Sequence, residues 1–320
     1  MNVDKSPGLG AYAALPLLTV VLFSLAALFF VFVMGDPSPV PVFVIFALIW
    51  SVSMTLFAVL SGRGKSIARG AAMFLVGSFI LVLAGWLGRN NFQIEGFFFQ
   101  IFSGTLSGVI VHFAVGKILG PFLTGRAWCG WGCWTGMVLD CLPYKGGAVW
   151  RGTALSRLRA VHFALALLLT GVLYYGFSYT TVQADPEAMK TGMGTVSGFL
   201  WFAAGNALYY AAGIALAIAF KDNRAFCKYL CPVTVFLRTG ARVALLRIKG
   251  DSKQCTSCGT CSSSCPMGID IPAYVAENRR VASTECILCM KCVAACPTAC
   301  LKTSVGFDVA SVEHLRRPVS

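Results

Sequence analysis

Two cysteine-rich segments near the carboxyl terminus have the residue types and the spacing for metal chemistry. Residues 255–266 read CTSCGTCSSSCP, and residues 286–297 read CILCMKCVAACP. Each segment follows the pattern C-x2-C-x2-C-x3-C-P, which is typical of [4Fe–4S] cluster ligation. Three thiolates on one tight loop can hold one side of a cluster. A pair of zinc sites is the alternative, but zinc needs four ligands per site and has no use for a crossed fourth cysteine before a proline.

The fourth cysteine of each segment is expected to serve the other cluster, as in two-cluster ferredoxins. We therefore predict two [4Fe–4S] clusters with crossed ligands. The predicted ligands of cluster one are Cys255, Cys258, Cys261 and Cys296. The predicted ligands of cluster two are Cys286, Cys289, Cys292 and Cys265. This arrangement predicts one-electron transfer. A ninth thiol, Cys300, is expected to be a small buried side chain beside a cluster.

A second pair of matched motifs lies upstream. RAWCGWGCW (126–134) and RAFCKYLCP (224–232) each follow an apolar run, which makes them an internal repeat. Cysteines four positions apart share one face of a helical turn, and a repeat of this kind can bring two such faces side by side. The four thiols are predicted to hold a third iron–sulfur cluster or a metal ion such as zinc or copper(I): Cys129, Cys133, Cys227 and Cys231. Four buried structural cysteines are the other interpretation.

The elements that position these motifs are apolar. The chain of 320 residues is 57% hydrophobic and only 12% charged, whereas a soluble domain has about 25% charged residues. Its formal charge of +13 lies in loops between apolar runs, which favours a bilayer over nucleic acid as the partner. Six runs have about the 20 residues that cross a membrane, at 12–34, 40–60, 70–88, 97–119, 160–179 and 199–220.

Basic residues concentrate in alternate connections, at 61–70, 120–159 and 221–250. Loops rich in Lys and Arg stay in the cytoplasm. Both termini and every cysteine motif are therefore predicted on the cytoplasmic side of a bacterial or archaeal inner membrane, where thiols stay reduced. The stretch 232–250, with Arg238 and Arg242 on one face, predicts an amphipathic surface helix.

Two histidines are candidates for a quinone site. His112 lies inside the fourth predicted span, and His162 lies just inside the fifth. Ionisable side chains within the membrane are functional candidates. A hydrogen bond that packs two helices is the structural alternative, and joint ligation of a haem is a further one.

The cysteine motifs together resemble those of the NapH/NosR-type membrane iron–sulfur proteins, from about Gly125 to Thr303. Cys227, Cys231 and Pro232 match the C-x3-C-P motif of that family, whereas Trp134 stands at the proline position after Cys133. The resemblance implies electron transfer at the membrane, commonly from quinol, towards a partner redox enzyme or its maturation.

The expected architecture is a polytopic all-α membrane domain of about six helices followed by a small α+β ferredoxin domain with two [4Fe–4S] clusters. The membrane domain covers 1–220, a basic connector 221–250 and the ferredoxin domain 251–303. The tail 304–320 is expected to be loosely structured or bound to a partner. The chain is expected to be a quinone-linked subunit of a larger electron-transfer complex. Copper reduction or cofactor assembly by the matched thiols, and passive anchoring of a partner by iron–sulfur clusters, are the alternatives.

Overall fold

The computed structural model describes residues 9–33, 35, 40–60, 63–144, 154–182, 193–310 and 312–316. Parts of the predicted basic connections, at 61–62 and 145–153, and the last residues of the tail, 317–320, lie outside these ranges. The chain divides into two compact units, Met1–Val76 and Gly77–Ser320. The cysteine motifs and both candidate histidines belong to the second unit.

The first unit contains two long apolar helices, α1 (Leu9–Phe32) and α2 (Val40–Val59). Phe23 stacks on Phe46 with ring centroids 6.0 Å apart, so the two helices pack side by side. The next helix, α3, begins at Arg63. The predicted loop over 61–70 is therefore helical from Arg63 onward, because nothing in this stretch stops a helix once it has begun.

Four described helices are long and apolar enough to cross a membrane: Val40–Val59, Gly64–Leu87, Leu158–Gly176 and Val196–Phe220. Two further apolar helical stretches, Val20–Phe32 and Gly108–Thr124, are shorter. The second helix of the four comprises α3 (Arg63–Ser78) and a π-helical stretch (Phe79–Leu87). The fourth is α10 (Val196–Phe220). The protein is thus a multi-pass helical membrane protein, although six spans are not confirmed.

The predicted continuous span over 97–119 is wrong. Helix α4 (Ile94–Phe102) ends before Gly104, whose φ of 65° is left-handed, and α5 (Gly108–Phe113) begins anew with Ser107 as its cap. The Ser107 side chain accepts a hydrogen bond from Val109 N at 3.2 Å. Small hydroxyl side chains and glycine in SGTLSG offer the backbone such local alternatives to a helix. The chain then continues through a π-helical stretch (Ala114–Leu119) and α6 (Gly120–Thr124).

Residues 88–103 fold back on themselves along α10. Gly194 N, just before α10, donates to Gly88 O at 2.8 Å. The Gln93 side chain then packs tightly against Gly205, about ten residues further along α10. From there α4 returns, because Phe99 contacts Trp201 with ring centroids 5.6 Å apart. We call residues 88–103 the re-entrant segment because the chain turns back along α10. Non-helical backbone at membrane depth is tolerated where protein buries it or where it lines a cavity.

The C-terminal domain combines short helices with a two-stranded antiparallel sheet. Strand β1 (Leu246–Gly250) pairs with β2 (Leu301–Val305), with Leu246 opposite Val305 and Gly250 opposite Leu301. Its helices are Thr260–Ser263, Ile271–Ala276 and Lys291–Ala295. The sheet joins the two ends of the cysteine-rich region, which confirms the predicted small α+β domain.

The connector and the tail differ from expectation. A helix covers only Thr234–Ala241, and the chain enters β1 at Leu246, so the predicted helix over 232–250 is wrong in its second half. Arg238 Nε lies 3.3 Å from the carboxylate of Glu285, so this side chain faces protein. The described part of the tail is held to the domain by hydrogen bonds, including Asp270 N to His314 O at 2.9 Å. It is therefore not loose.

Candidate iron–sulfur sites

Four of the C-terminal cysteines surround a pocket of about 330 Å³. Three of them come from the first segment, and the fourth, Cys296, comes from the second. The pocket is lined by Cys255, Cys258, Cys261, Cys296 and Cys300 among others. Cys258 is exposed, and hydrogen bonds from Thr260 lower the pKa of its thiol, which favours the thiolate that metals bind. The donor set fits an iron–sulfur cluster close to the protein surface.

The other four cysteines surround a second pocket of about 380 Å³ with apolar walls. Here Cys265 comes from the first segment, and the remaining three, Cys286, Cys289 and Cys292, come from the second. Burial raises the pKa of Cys286 to about 12, so iron binding must release its proton. The lining of both pockets follows the crossed pattern that the spacing predicts.

The two cysteine loops have the same backbone geometry. Ser257 and Gly259 have φ values of 53° and 72°, and the corresponding residues of the second loop, Leu288 and Met290, have values of 47° and 56°. Left-handed residues let a short loop curl around a bulky group. In the second loop these positions are not glycine, so the conformation is imposed on residues that favour it poorly.

The upstream repeat is a structural repeat. Immediately after the arginine, each copy forms a five-residue helix, α7 (Ala127–Trp131) and α11 (Ala225–Tyr229). In the first copy Trp134 occupies the proline position and begins the next helix, α8 (Trp134–Leu139). Its indole Nε1 donates to Asn206 Oδ1 at 2.8 Å. The first helical position is also where proline is favoured, so Trp134 is accommodated without loss of the local fold.

The structure brings the four matched thiols together. Burial raises the pKa of Cys227 to about 11; Arg224 opposes this, and the nearby thiols of Cys133 and Cys129 contribute to it. Burial and the other three thiols raise the pKa of Cys231 as well. Cys129 and Cys227 are buried, and Cys133 and Cys231 are partly exposed. Four soft ligands in one group fit an iron–sulfur cluster. No group of His, Cys, Asp or Glu side chains within the described ranges is arranged around a single metal ion.

Buried arginines tie the two copies to each other. Arg224 Nη1 donates to Cys129 O at 3.2 Å, and Arg126 Nη2 donates to Cys227 O at 3.5 Å. Their exposures are 1% and 0%. Arg224 also pairs with Asp140 at 2.8 Å, so this carboxylate balances a buried charge.

The matched thiols lie directly against the loop of the second pocket. Trp131 Nε1 donates to Leu288 O at 2.9 Å. A Cβ atom at Gly130 would clash with the carbonyl oxygen of Ile287, beside Cys289, so only glycine permits this approach. Gly130, which directly follows Cys129 of the matched set, therefore lies beside Cys289 of the second pocket.

Glu285 strengthens the contact between the matched thiols and the loop of the second pocket. Its carboxylate pairs with Arg126 at 2.5 Å and Arg159 at 3.0 Å, in addition to Arg238. Burial raises the pKa of Glu285, but the positive charges of Arg126 and Arg159 outweigh burial and lower it to about 2. The carboxylate immediately before Cys286 is thus ionised and holds three cations.

The two candidate histidines have different surroundings. His112 is buried among aromatic rings, with Trp128 4.8 Å away, and its Nε2 has no partner among the described residues. His162 Nδ1 lies 2.9 Å from Leu230 O and its ring contacts Tyr209. No contact between the two histidines is present in the described structure.

Sequence reasoning missed two charged residues near the thiols. Lys117 is buried over the rings of Trp128 and Trp134, 4.4 and 5.7 Å from their centroids, and interacts electrostatically with Cys129, Cys133 and Cys231. Glu95 has a buried carboxylate oxygen without a partner in the described part of the chain. Both interrupt apolar runs, and that signal could have identified them.

Comparisons with known proteins agree with these sites. A family model for a 4Fe-4S dicluster domain matches residues 247–297. A model for a 4Fe-4S binding domain matches twice, at 106–152 and 206–249, and so covers both copies of the upstream repeat. The chain is a relative of the NapH/NosR-type ferredoxin proteins of membranes. The feature that this chain shares with them is the set of 4Fe-4S domains.

Individual relatives of this NapH/NosR-type protein match over much of its length. An uncharacterized protein of Methanocaldococcus jannaschii is 29% identical over 57% of this chain and 66% of its own length. YccM of Escherichia coli, a proposed electron transport protein, is 25% identical over 68% of this chain and 62% of its own. The ferredoxin-type protein NapH of Haemophilus influenzae is 24% identical over 64% and 69%, respectively. No solved structure matches the chain.

Proposed function

We propose that this protein transfers electrons from the quinone pool, through iron–sulfur centres at the cytoplasmic face of the membrane, to a partner redox enzyme. When bound, the clusters supply reversible one-electron oxidation and reduction. The residues of the chain hold them in sequence and connect them to the membrane. The relatives named NapH and NosR support an electron-transfer role of this kind.

The observation that carries the proposal is the junction between the matched thiols and the second pocket. The lack of a side chain at Gly130 leaves room for Ile287 and Cys289 of the second loop, and Trp131 holds that loop through Leu288 O. The two C-terminal pockets are in turn adjacent, since the thiols of Cys292 and Cys261 interact electrostatically. Three neighbouring sets of four thiols therefore lead from the membrane helices towards the exposed Cys258.

The ligand sets that we propose are the crossed ones. Pocket one would hold its cluster with Cys255, Cys258, Cys261 and Cys296. Pocket two would use Cys265, Cys286, Cys289 and Cys292. The matched set, Cys129, Cys133, Cys227 and Cys231, would hold a third. The basic connections support a cytoplasmic position for all three sets and both termini, with the helix over 108–124 as the proposed fourth span instead of 97–119.

Buried cations near the matched thiols can balance the negative charge of a centre bound there. Lys117, Arg126 and Arg224 all lie close to the four thiols and are almost fully buried. Metal-bound cysteines are thiolates, and a buried negative charge without a counter-charge would be costly. The three cations offset that charge while Asp140 and Glu285 hold the two arginines in place.

The test is a metal analysis with spectroscopy on protein purified without oxygen. Three [4Fe–4S] clusters require about twelve irons per chain, whereas two require about eight. A short-chain quinol should then bleach the cluster absorbance, and EPR should show the reduced signals. Colourless, iron-free protein would contradict the proposal. Copper on the four matched thiols with no response to quinol would favour the metal-handling alternative.

A further inference from the structure

The re-entrant segment carries a carboxylate towards the matched thiols. Gln93, at the turning point, packs against Gly205 of α10, and Tyr209 follows one turn later on the same helix. Residues four apart lie on one helical face, so Tyr209 continues the surface against which the segment folds. The carboxylate of Glu95 and the thiol of Cys231 both interact electrostatically with the Tyr209 hydroxyl.

Several polar atoms in this region are buried and unpaired. Among the described residues, Glu95 Oε2 and the hydroxyls of Tyr209 and Tyr210 have no hydrogen-bond partner. Buried polar groups nearly always have partners, so a group of unpaired ones needs an explanation. A polar ligand that donates and accepts hydrogen bonds at this position provides one.

His162 also contacts Tyr209. The two rings are 5.6 Å apart and nearly perpendicular. Because Leu230 O can only accept a hydrogen bond, the 2.9 Å contact assigns the ring proton of neutral His162 to Nδ1. Its Nε2 is then a free acceptor. The peptide that orients the ring, Leu230, directly precedes Cys231.

We propose that Glu95 and His162 are the two proton acceptors of a quinol headgroup site beside Tyr209, next to the thiol of Cys231. This inference rests on the proposed function and specifies its substrate site. A diphenol headgroup matches the chemistry of the group, because its two hydroxyls donate to a carboxylate and to an imidazole. The Tyr209 hydroxyl, between them, would orient the headgroup by a hydrogen bond.

The chemistry of the step balances. Oxidation of one quinol to quinone breaks two O–H bonds and releases two protons and two electrons. The Glu95 carboxylate would accept one proton and His162 Nε2 the other. The two electrons would leave one at a time through the centres on the cytoplasmic side, and the oxidised centre of the partner enzyme is the final oxidant. Both acceptors then return their protons to solvent before the next turnover.

The experiment compares Glu95→Gln and His162→Gln with Glu277→Gln and His314→Gln. The last two residues pair with each other in the C-terminal domain, 3.0 Å apart, and provide the same changes of side chain away from the membrane. Quinol-driven reduction should slow about 100-fold or more in the first two variants, as is typical for loss of a general base. Reduction by dithionite and the iron content should remain at the wild-type level.

A second measurement does not depend on turnover. Infrared difference spectra of the wild type with quinol minus quinone should show a band of a protonated carboxyl group, which Glu95→Gln should abolish and Glu277→Gln should retain. Unchanged quinol rates and an unchanged band in Glu95→Gln and His162→Gln would overturn the inference and leave the proposed function standing. Failure of quinol to reduce the wild type would contradict the proposed function itself. If either Glu95→Gln or His162→Gln assembles no clusters, the quinol-driven rate of the other variant tests the inference.

Discussion

Arg224, in the second copy of the upstream repeat, donates a hydrogen bond to the carbonyl oxygen of Cys129, in the first copy, at 3.2 Å. Arg126 makes the reciprocal bond, from the first copy to Cys227 O. The two hydrogen bonds correspond to each other because the two copies of the repeat fold alike. The arginine that opens each motif therefore supports the thiols of its counterpart, and the pair locks four cysteines into one group.

Loss of the Arg224 side chain should destabilise the protein. Arg224→Met removes a guanidinium group that is 1% exposed and pairs with Asp140, and breaking a buried ion pair costs about 3–5 kcal/mol. We expect a lower midpoint temperature of unfolding in detergent, measured by tryptophan fluorescence. Arg279→Met is the control, because Arg279 and Glu277 form an exposed pair that contributes about 0–1 kcal/mol. Equal midpoints for the two variants would contradict this assignment.

Replacement of the matched thiols should remove one cluster and spare two. The quadruple variant Cys129→Ser, Cys133→Ser, Cys227→Ser and Cys231→Ser should lose about four irons of about twelve per chain. The C-terminal clusters should stay reducible by dithionite, because their pockets are separate. Cys141→Ser is the matched control, since Cys141 is exposed. An unchanged iron content would show that the matched thiols hold no iron.

Crossed ligation makes a prediction about pairs of variants. Cys265→Ser should alter the same EPR signal as Cys289→Ser, although Cys265 lies in the other sequence segment, because both line the second pocket. Cys296→Ser should likewise match Cys258→Ser. If Cys265→Ser instead matched Cys258→Ser, each segment would hold its own cluster. Mössbauer spectra of the same samples would report the number of clusters that remain.

Lys117 should raise the reduction potential of a centre on the matched thiols. Its ammonium group is buried near three of them, and a positive charge favours the added electron. At an effective dielectric constant of about 20, two unit charges interact by roughly 4 kcal/mol at about 4 Å and by roughly half of this at twice the distance. Lys117→Met should therefore lower the potential by on the order of 50–100 mV.

An EPR-monitored redox titration measures that shift. The C-terminal clusters should keep their potentials, since Lys117 does not contact their pockets. Lys221→Met is the control, because Lys221 is exposed and lies over Tyr144. A potential that stays constant in Lys117→Met would show that this charge does not act on the centre.

The cysteine spacing by itself determined which thiols line each C-terminal pocket. Short intervals between Cys255, Cys258 and Cys261 force them onto one loop, and only the residue before proline is free to reach elsewhere. The same holds for the paired motifs upstream, where equal local sequences give equal short helices. Local chain geometry decides these features, so they can be read without a three-dimensional structure. The apolar composition likewise identified a multi-pass membrane protein.

Tertiary structure decided where the charged residues act. Glu95 lies two residues before the predicted span over 97–119, yet the chain turns back at Gln93 along α10, which brings this carboxylate towards Tyr209. Glu285 gains Arg126 and Arg159 as partners from 159 and 126 residues away. Hydropathy averages over a window and cannot detect a re-entrant turn, and ion pairs between distant segments form only when packing excludes water. Both therefore depend on contacts that the local sequence does not encode.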